Sequence, residues 1–159
     1  MQELLPIAEK IGALLKARSE TIVIAESSTG GLISSALLSV PGASAYFLGG
    51  EIIYTLKARR LLIDLPEDAF KGMRASTEEY VRLIAGSVRT RFGASWCIAE
   101  SGATGPTGNR YGDAAGHSSI AVAGASARSL TIETASADRV ANMRAFAAGA
   151  LNLLAQCMG

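Results

Sequence analysis

Histidine is almost missing from this chain. His117 is the single one, so a histidine-rich metal site is excluded and a Ser-His-Asp triad could form only around that residue. Cysteine is nearly as scarce. Cys97 and Cys157 stand apart, with no CxxC and no ligand spacing, and read as reduced, buried thiols of a cytoplasmic protein. Charged residues make up only 18% of the sequence and the formal net charge is +1. Neither a basic face for nucleic acid nor an acidic tail is implied. Charge is absent altogether from Ser27 to Gly50, but Pro41, glycines and serines break that stretch, so it reads as core and turns rather than a membrane span. Residues 1–20 mix charged and apolar positions as an amphipathic helix does, not as a leader peptide. Three signatures are also lacking. Without GxGxxG a dinucleotide-binding Rossmann unit is not expected, without GxxxxGK[ST] neither is a P-loop, and without GxSxG neither is a hydrolase elbow. No metal, no cofactor, no nucleic acid and no membrane partner is expected.

What is abundant is small and apolar. Of 159 residues, 49% are hydrophobic, enough for one domain over 1–159 with layered helix–sheet packing. A mean hydropathy of +0.28 implies more apolar surface than a lone domain of this size readily covers, which predicts a homodimer or higher homo-oligomer. Periodicity predicts a helix over 3–18, a buried strand over 21–25 and a helix over 32–40. Strand composition follows around Gly49-Gly50, then a short helix over 56–63. A capping box at Ser76-Thr-Glu-Glu79 opens a helix to about Arg91. A second buried strand covers 96–99, a glycine-rich loop runs from Glu100 to Gly116, and a hairpin over 118–134 precedes a closing helix over 138–156.

The chain is organised around Thr21-Ile-Val-Ile-Ala-Glu-Ser-Ser-Thr-Gly-Gly31. A buried strand there feeds a turn of hydroxyls and glycines that opens a helix. Such a turn aims backbone N–H groups at one point, suited to an anion or an oxyanion. It also fits a plain N-cap, with Thr29 or Ser28 capping and the glycines allowing close packing. The second loop begins like the first turn, with Glu100-Ser101-Gly102 mirroring Glu26-Ser27. The two turns are therefore expected to share one end of the sheet, with the loop forming the far wall of a pocket. Glu26 reads as a turn carboxylate satisfied by backbone N–H groups, or as a base. Trp96 reads as core and His117 as structural.

Five stretches in this order, AESSTGG at 25–31, PGASAYFLGG at 41–50, Tyr54 with a basic helix behind it, SGATGP at 101–106 and Asp138-Arg139, resemble the CinA C-terminal domain family in its stand-alone form. The resemblance implies a three-layer α/β/α fold with a mixed, mostly parallel sheet. It implies metal-free hydrolysis of the carboxamide of nicotinamide mononucleotide to the acid and ammonia. By position it makes Ser27 the nucleophile, with Tyr54 and position 59 at the catalytic centre. Thr29, Gly30 and Gly31 form the oxyanion turn, and Ser28, Ser101, Gly102, Thr104, Gly105 and Arg139 bind substrate. Position 59 departs from the family's usual lysine: it is Arg59, which stays protonated and cannot serve as a base. Lys57 lies two positions away, turned by roughly 200° on a helix, toward the opposite face. Three readings stay open: a deamidase, a module that binds a nucleotide or other phosphorylated molecule without turnover, and hydrolysis of a different amide with Tyr54 or a water relaying the proton.

Overall fold

The computed structural model describes residues 1–159. Ten main elements follow one another: α1 (Leu5–Arg18), β1 (Ile22–Glu26), α2 (Leu32–Leu38), β2 (Phe47–Ile52), α3 (Leu56–Leu62), α4 (Glu78–Phe92), β3 (Trp96–Ala103), β4 (His117–Ala123), β5 (Arg128–Glu133) and α5 (Arg139–Met158). The strands form one sheet in the order β2-β1-β3-β4-β5. β1 pairs in parallel with β2 and β3, while β4 is antiparallel to both β3 and β5. Four strands therefore run one way and β4 runs against them, giving the expected mixed α/β sheet.

The burial of each strand follows from its composition. All five residues of β1 are buried, as an uninterrupted apolar run requires of a central strand. β2 alternates between half-buried and exposed, as an edge strand does. Successive side chains of β1 and β3 feed opposite layers. Ile22, Ile24, Trp96 and Ile98 join the core formed with α1, α2 and α5. Val23, Ala25, Cys97 and Ala99 join the core beneath α4. Burying each of these large aliphatic side chains stabilises the fold by about 1.5–3 kcal/mol. The three layers are α1/α2/α5, the sheet, and α4 with α3.

Two expectations about local structure shift. Ser76 does not cap α4. Thr77 does, its hydroxyl accepting from the Tyr80 N–H at 3.3 Å. Ser76 is pushed one place out, to φ 59°, and buried. The loop also begins later than Glu100, because β3 continues to Ala103, with Glu100 opposite Ile120 and Gly102 opposite Ser118. The continuation is polar, so a pattern of apolar residues does not reveal it. Gly102 is required there: a Cβ would sit 2.5 Å from the His117 carbonyl oxygen.

Candidate functional site

A pocket of about 520 Å³ opens where β1 and β3 end, in the size range of small-molecule sites. Ligands in open α/β sheets bind at such carboxyl ends. Ser27 follows β1 immediately, and Ser101 and Gly102 end β3 beside it. Ile53 to Lys57 and Arg59, from the β2–α3 junction, form one wall. Ala75, Ser76 and Tyr80 come from the start of α4, and Asn109, Arg110 and Tyr111 from the β3–β4 loop. The shared sheet end and the loop wall are as the mirrored Glu-Ser turns imply.

Two buried carboxylates build the turn that presents Ser27. Glu26, at 0% exposure, accepts from the Ile33 N–H at 3.2 Å, the Ser34 N–H at 3.0 Å, the Ser34 hydroxyl at 2.7 Å and the Thr29 hydroxyl at 2.7 Å. It holds the first turn of α2, where the helix dipole favours a negative charge. Glu26 is thus the satisfied turn carboxylate, not a base. Glu100, at 3% exposure, reaches across from β3. One of its oxygens accepts from the N–H groups of Ser27 at 3.1 Å and Thr29 at 3.0 Å. The other accepts from the hydroxyls of Ser28 and, at 2.9 Å, Ser118. Hydrogen-bond donors, not a cation, satisfy both carboxylates, and their number permits burial.

This frame corrects several expected roles. The turn's N–H groups are only partly free: Glu100 takes those of Ser27 and Thr29, and the Gly30 N–H donates to the Ser27 carbonyl at 3.1 Å, while those of Ser28 and Gly31 make no hydrogen bond within the protein. Ser28 and Thr29 are buried in the turn, and neither they nor Gly30 and Gly31 line the pocket. Gly31, at φ 99°, is the residue before α2, where a positive φ suits glycine. Thr104 and Gly105 lie behind the wall. Their carbonyls accept from Asn142 Nδ2 at 2.8 Å and from Arg139 at 2.6 Å. Arg139 also donates to the Tyr54 hydroxyl at 3.1 Å, so it braces Tyr54 and does not face the pocket itself. Ser27, Tyr54, Arg59, Ser101 and Gly102 do line it.

Arg59 is held firmly. Its side chain is 11% exposed, pairs with Glu67 at 2.9 Å and lies 4.0 Å over the Phe70 ring. Its Nε–H is buried without an acceptor. Desolvation raises Glu67, but hydrogen bonds and charge from Arg59 and Arg60 together outweigh it and hold that carboxyl below its usual range. Burial raises the Tyr80 hydroxyl against the pull of the adjacent Arg59 guanidinium. Lys57 corrects the helical-wheel reading. The first turn of α3 starts at the pocket, so Lys57 and Arg59 both line it.

The sequence alone assigns no site role to Ser76, Tyr80, Glu100 or Arg110. The only signal for Glu100 was its mirroring of Glu26. Ser76 is tied into the site through its hydroxyl, 3.2 Å from that of Ser101. Its carbonyl accepts from His117 Nε2 at 2.7 Å and from the Ser119 hydroxyl at 3.1 Å. His117 Nδ1 faces Glu133, and Asp113 lies 3.7 Å from Nε2. Burial alone would lower His117, but the Ser76 carbonyl and the Glu133 and Asp113 carboxylates outweigh it and raise its pKa. A raised folded-state value means that His117 stabilises the fold fully below the unfolded histidine value of about 6.5 and loses that contribution as pH rises through the folded value. The stability difference between wild type and His117→Gln, from thermal unfolding across this range, is expected to shrink as pH rises. A difference independent of pH would contradict the assignment.

A sequence profile described as the CinA C-terminal domain matches residues 4–158. A CinA-like protein of Prochlorococcus marinus (strain MIT 9313) is 42% identical over 118 residues, covering 74% of this chain and 28% of that protein. The chain therefore spans little more than a quarter of the length of that relative. Among solved structures, a competence or damage-inducible protein from Enterobacter asburiae superposes with a TM-score of 0.90 at 24% identity, covering 98% of each chain. A CinA superfamily protein from Escherichia coli gives 0.88 at 22% identity, covering 96% of this chain and 89% of its own. At these identities the two superpositions establish the shared fold.

Proposed function

Because the chain belongs to the CinA C-terminal domain family, we propose that it is an amidohydrolase of nicotinamide mononucleotide, releasing nicotinate mononucleotide and ammonia. The observation that carries this reading is the composition of the pocket. A serine follows the central strand, and an amine and two guanidinium groups line the same space with no carboxylate. The Ser27 hydroxyl oxygen attacks the carboxamide carbon, and its proton passes to the amine form of Lys57. That proton then goes to the departing nitrogen, which leaves as ammonia. Water hydrolyses the resulting ester, giving the acid and restoring the serine hydroxyl. Lys57 supplies the proton acceptor that Arg59 cannot be.

The second reading is binding without turnover. It is favoured by Glu100 occupying the Ser27 and Thr29 N–H groups, which removes two of the turn's donors from any oxyanion hole. Incubating the purified chain with nicotinamide mononucleotide and separating the products tests between them. Nicotinate mononucleotide with equimolar ammonia is expected. Saturable binding with no acid formed would establish the second reading instead.

A further inference from the structure

We infer that Arg110, carried on the turn from Asn109 to Asp113, forms with Arg59 the anion grip of the pocket, and that the grip selects a phosphate monoester: a mononucleotide over its nucleoside. This rests on the reading that a pyridine nucleotide is the ligand.

The turn is built to hold one shape. The Asn109 side-chain oxygen accepts from the N–H groups of Tyr111 at 3.0 Å and Asp113 at 3.1 Å, and its Nδ2 donates to Asp113 at 2.8 Å. Asp113 in turn receives two bonds from Arg74, at 2.6 and 3.0 Å, which fixes the turn to the approach to α4. Desolvation of Asp113 is outweighed by Arg74 foremost, with Asn109 and the charge of His117 adding, and its carboxyl sits below the usual range. The only acid near the turn is therefore committed to other groups.

Arg110 is not. Its guanidinium lies 5.1 Å over the Tyr111 ring and donates to that residue's hydroxyl at 3.1 Å, and it makes no ion pair with any carboxylate. An exposed arginine is ordinarily a solvated surface charge. This one lines a pocket that contains no acid, with its guanidinium beside an aromatic ring. Arg59 lines the same pocket, and its buried Nε–H lacks an acceptor. Tyr80 and Tyr111 line the pocket together with Arg59 and Arg110, so the two guanidinium groups belong to one lining. The Arg110 fork, with the unpaired Arg59 Nε–H in the same lining, suits a terminal phosphate carrying about −1.5 to −2 charges.

The test is titration calorimetry on the purified chain with nicotinamide mononucleotide, nicotinamide riboside and ribose 5-phosphate, for wild type, Arg110→Ala and Arg60→Ala. Arg60 is exposed on α3 and does not line the pocket. Wild type is expected to prefer the mononucleotide to the riboside. Arg110→Ala should weaken the mononucleotide by about 10- to 100-fold, as for loss of one charged hydrogen-bonding group, and leave the riboside unchanged. Arg60→Ala should leave both unchanged. The inference is overturned if Arg110→Ala leaves the ratio of the two affinities intact, if Arg60→Ala lowers it equally, or if wild type binds neither phosphorylated probe. Because every readout is binding, absence of ammonia release would remove the hydrolase reading without touching this one.

Discussion

Glu100→Ala is expected to leave the domain barely folded at room temperature. Glu100 is the only acceptor for the N–H groups of Ser27 and Thr29, and it takes the hydroxyls of Ser28 and Ser118 from the other side. Truncation leaves these four donors facing a cavity in the middle of the sheet. Unpaired buried donors cost about 1–3 kcal/mol each, so the loss should reach about 4 kcal/mol or more. A whole domain has only about 5–15 kcal/mol to lose. Glu100→Gln keeps the volume but turns an amide NH₂ toward groups that are themselves donors, and should cost about 2 kcal/mol. Urea unfolding checks both through the midpoint, with the slope held constant. A loss below about 1 kcal/mol for the alanine variant would show that Glu100 does not support the turn.

That anchor marks where the sequence stops being legible. The apolar runs at 21–25 and 96–99 were readable as central strands because burial on both faces requires continuous apolar residues. The next four residues of β3 were not, because Glu100 and Ser101 look like loop unless their partners on β4 are known. The same applies to the register of the α4 cap, where adjacent Ser76 and Thr77 are chemically equivalent as N-caps and only packing against Ser101 and His117 decides between them. Ser27, Tyr54 and Arg59 are brought to one centre by the family resemblance, not by periodicity or spacing. An angle about the helix axis turns Lys57 away from Arg59, and that angle says nothing of which end of the helix meets the pocket. Arg110 lies in a segment with no periodicity to read. It became visible only once the Asn109–Asp113–Arg74 contacts had fixed the turn.

The second large effect concerns the chemistry at Ser27. Its side chain is half-buried at the pocket floor, and its hydroxyl makes no hydrogen bond within the protein, which leaves it available to a ligand. Under the proposed reaction Ser27→Ala removes the bond-forming atom, and kcat should fall by about 10³-fold or more, as when other serine nucleophiles are removed. Lys57→Met should cost about 10²–10⁴-fold in kcat, the usual worth of a proton acceptor, with little change in KM. Arg59→Lys separates the two roles. If Arg59 grips the ligand, the shorter point charge should raise KM and leave kcat nearly unchanged. If position 59 is instead where the proton acceptor belongs, the same change should raise kcat.

The most direct measurement is ammonia release from nicotinamide mononucleotide by wild type and Ser27→Ala, with the affinity of each for the nucleotide measured in parallel. The account predicts steady release by wild type, loss of release in Ser27→Ala, and retained affinity in both. Release that persists in Ser27→Ala, or no release from wild type that binds the nucleotide, would contradict it.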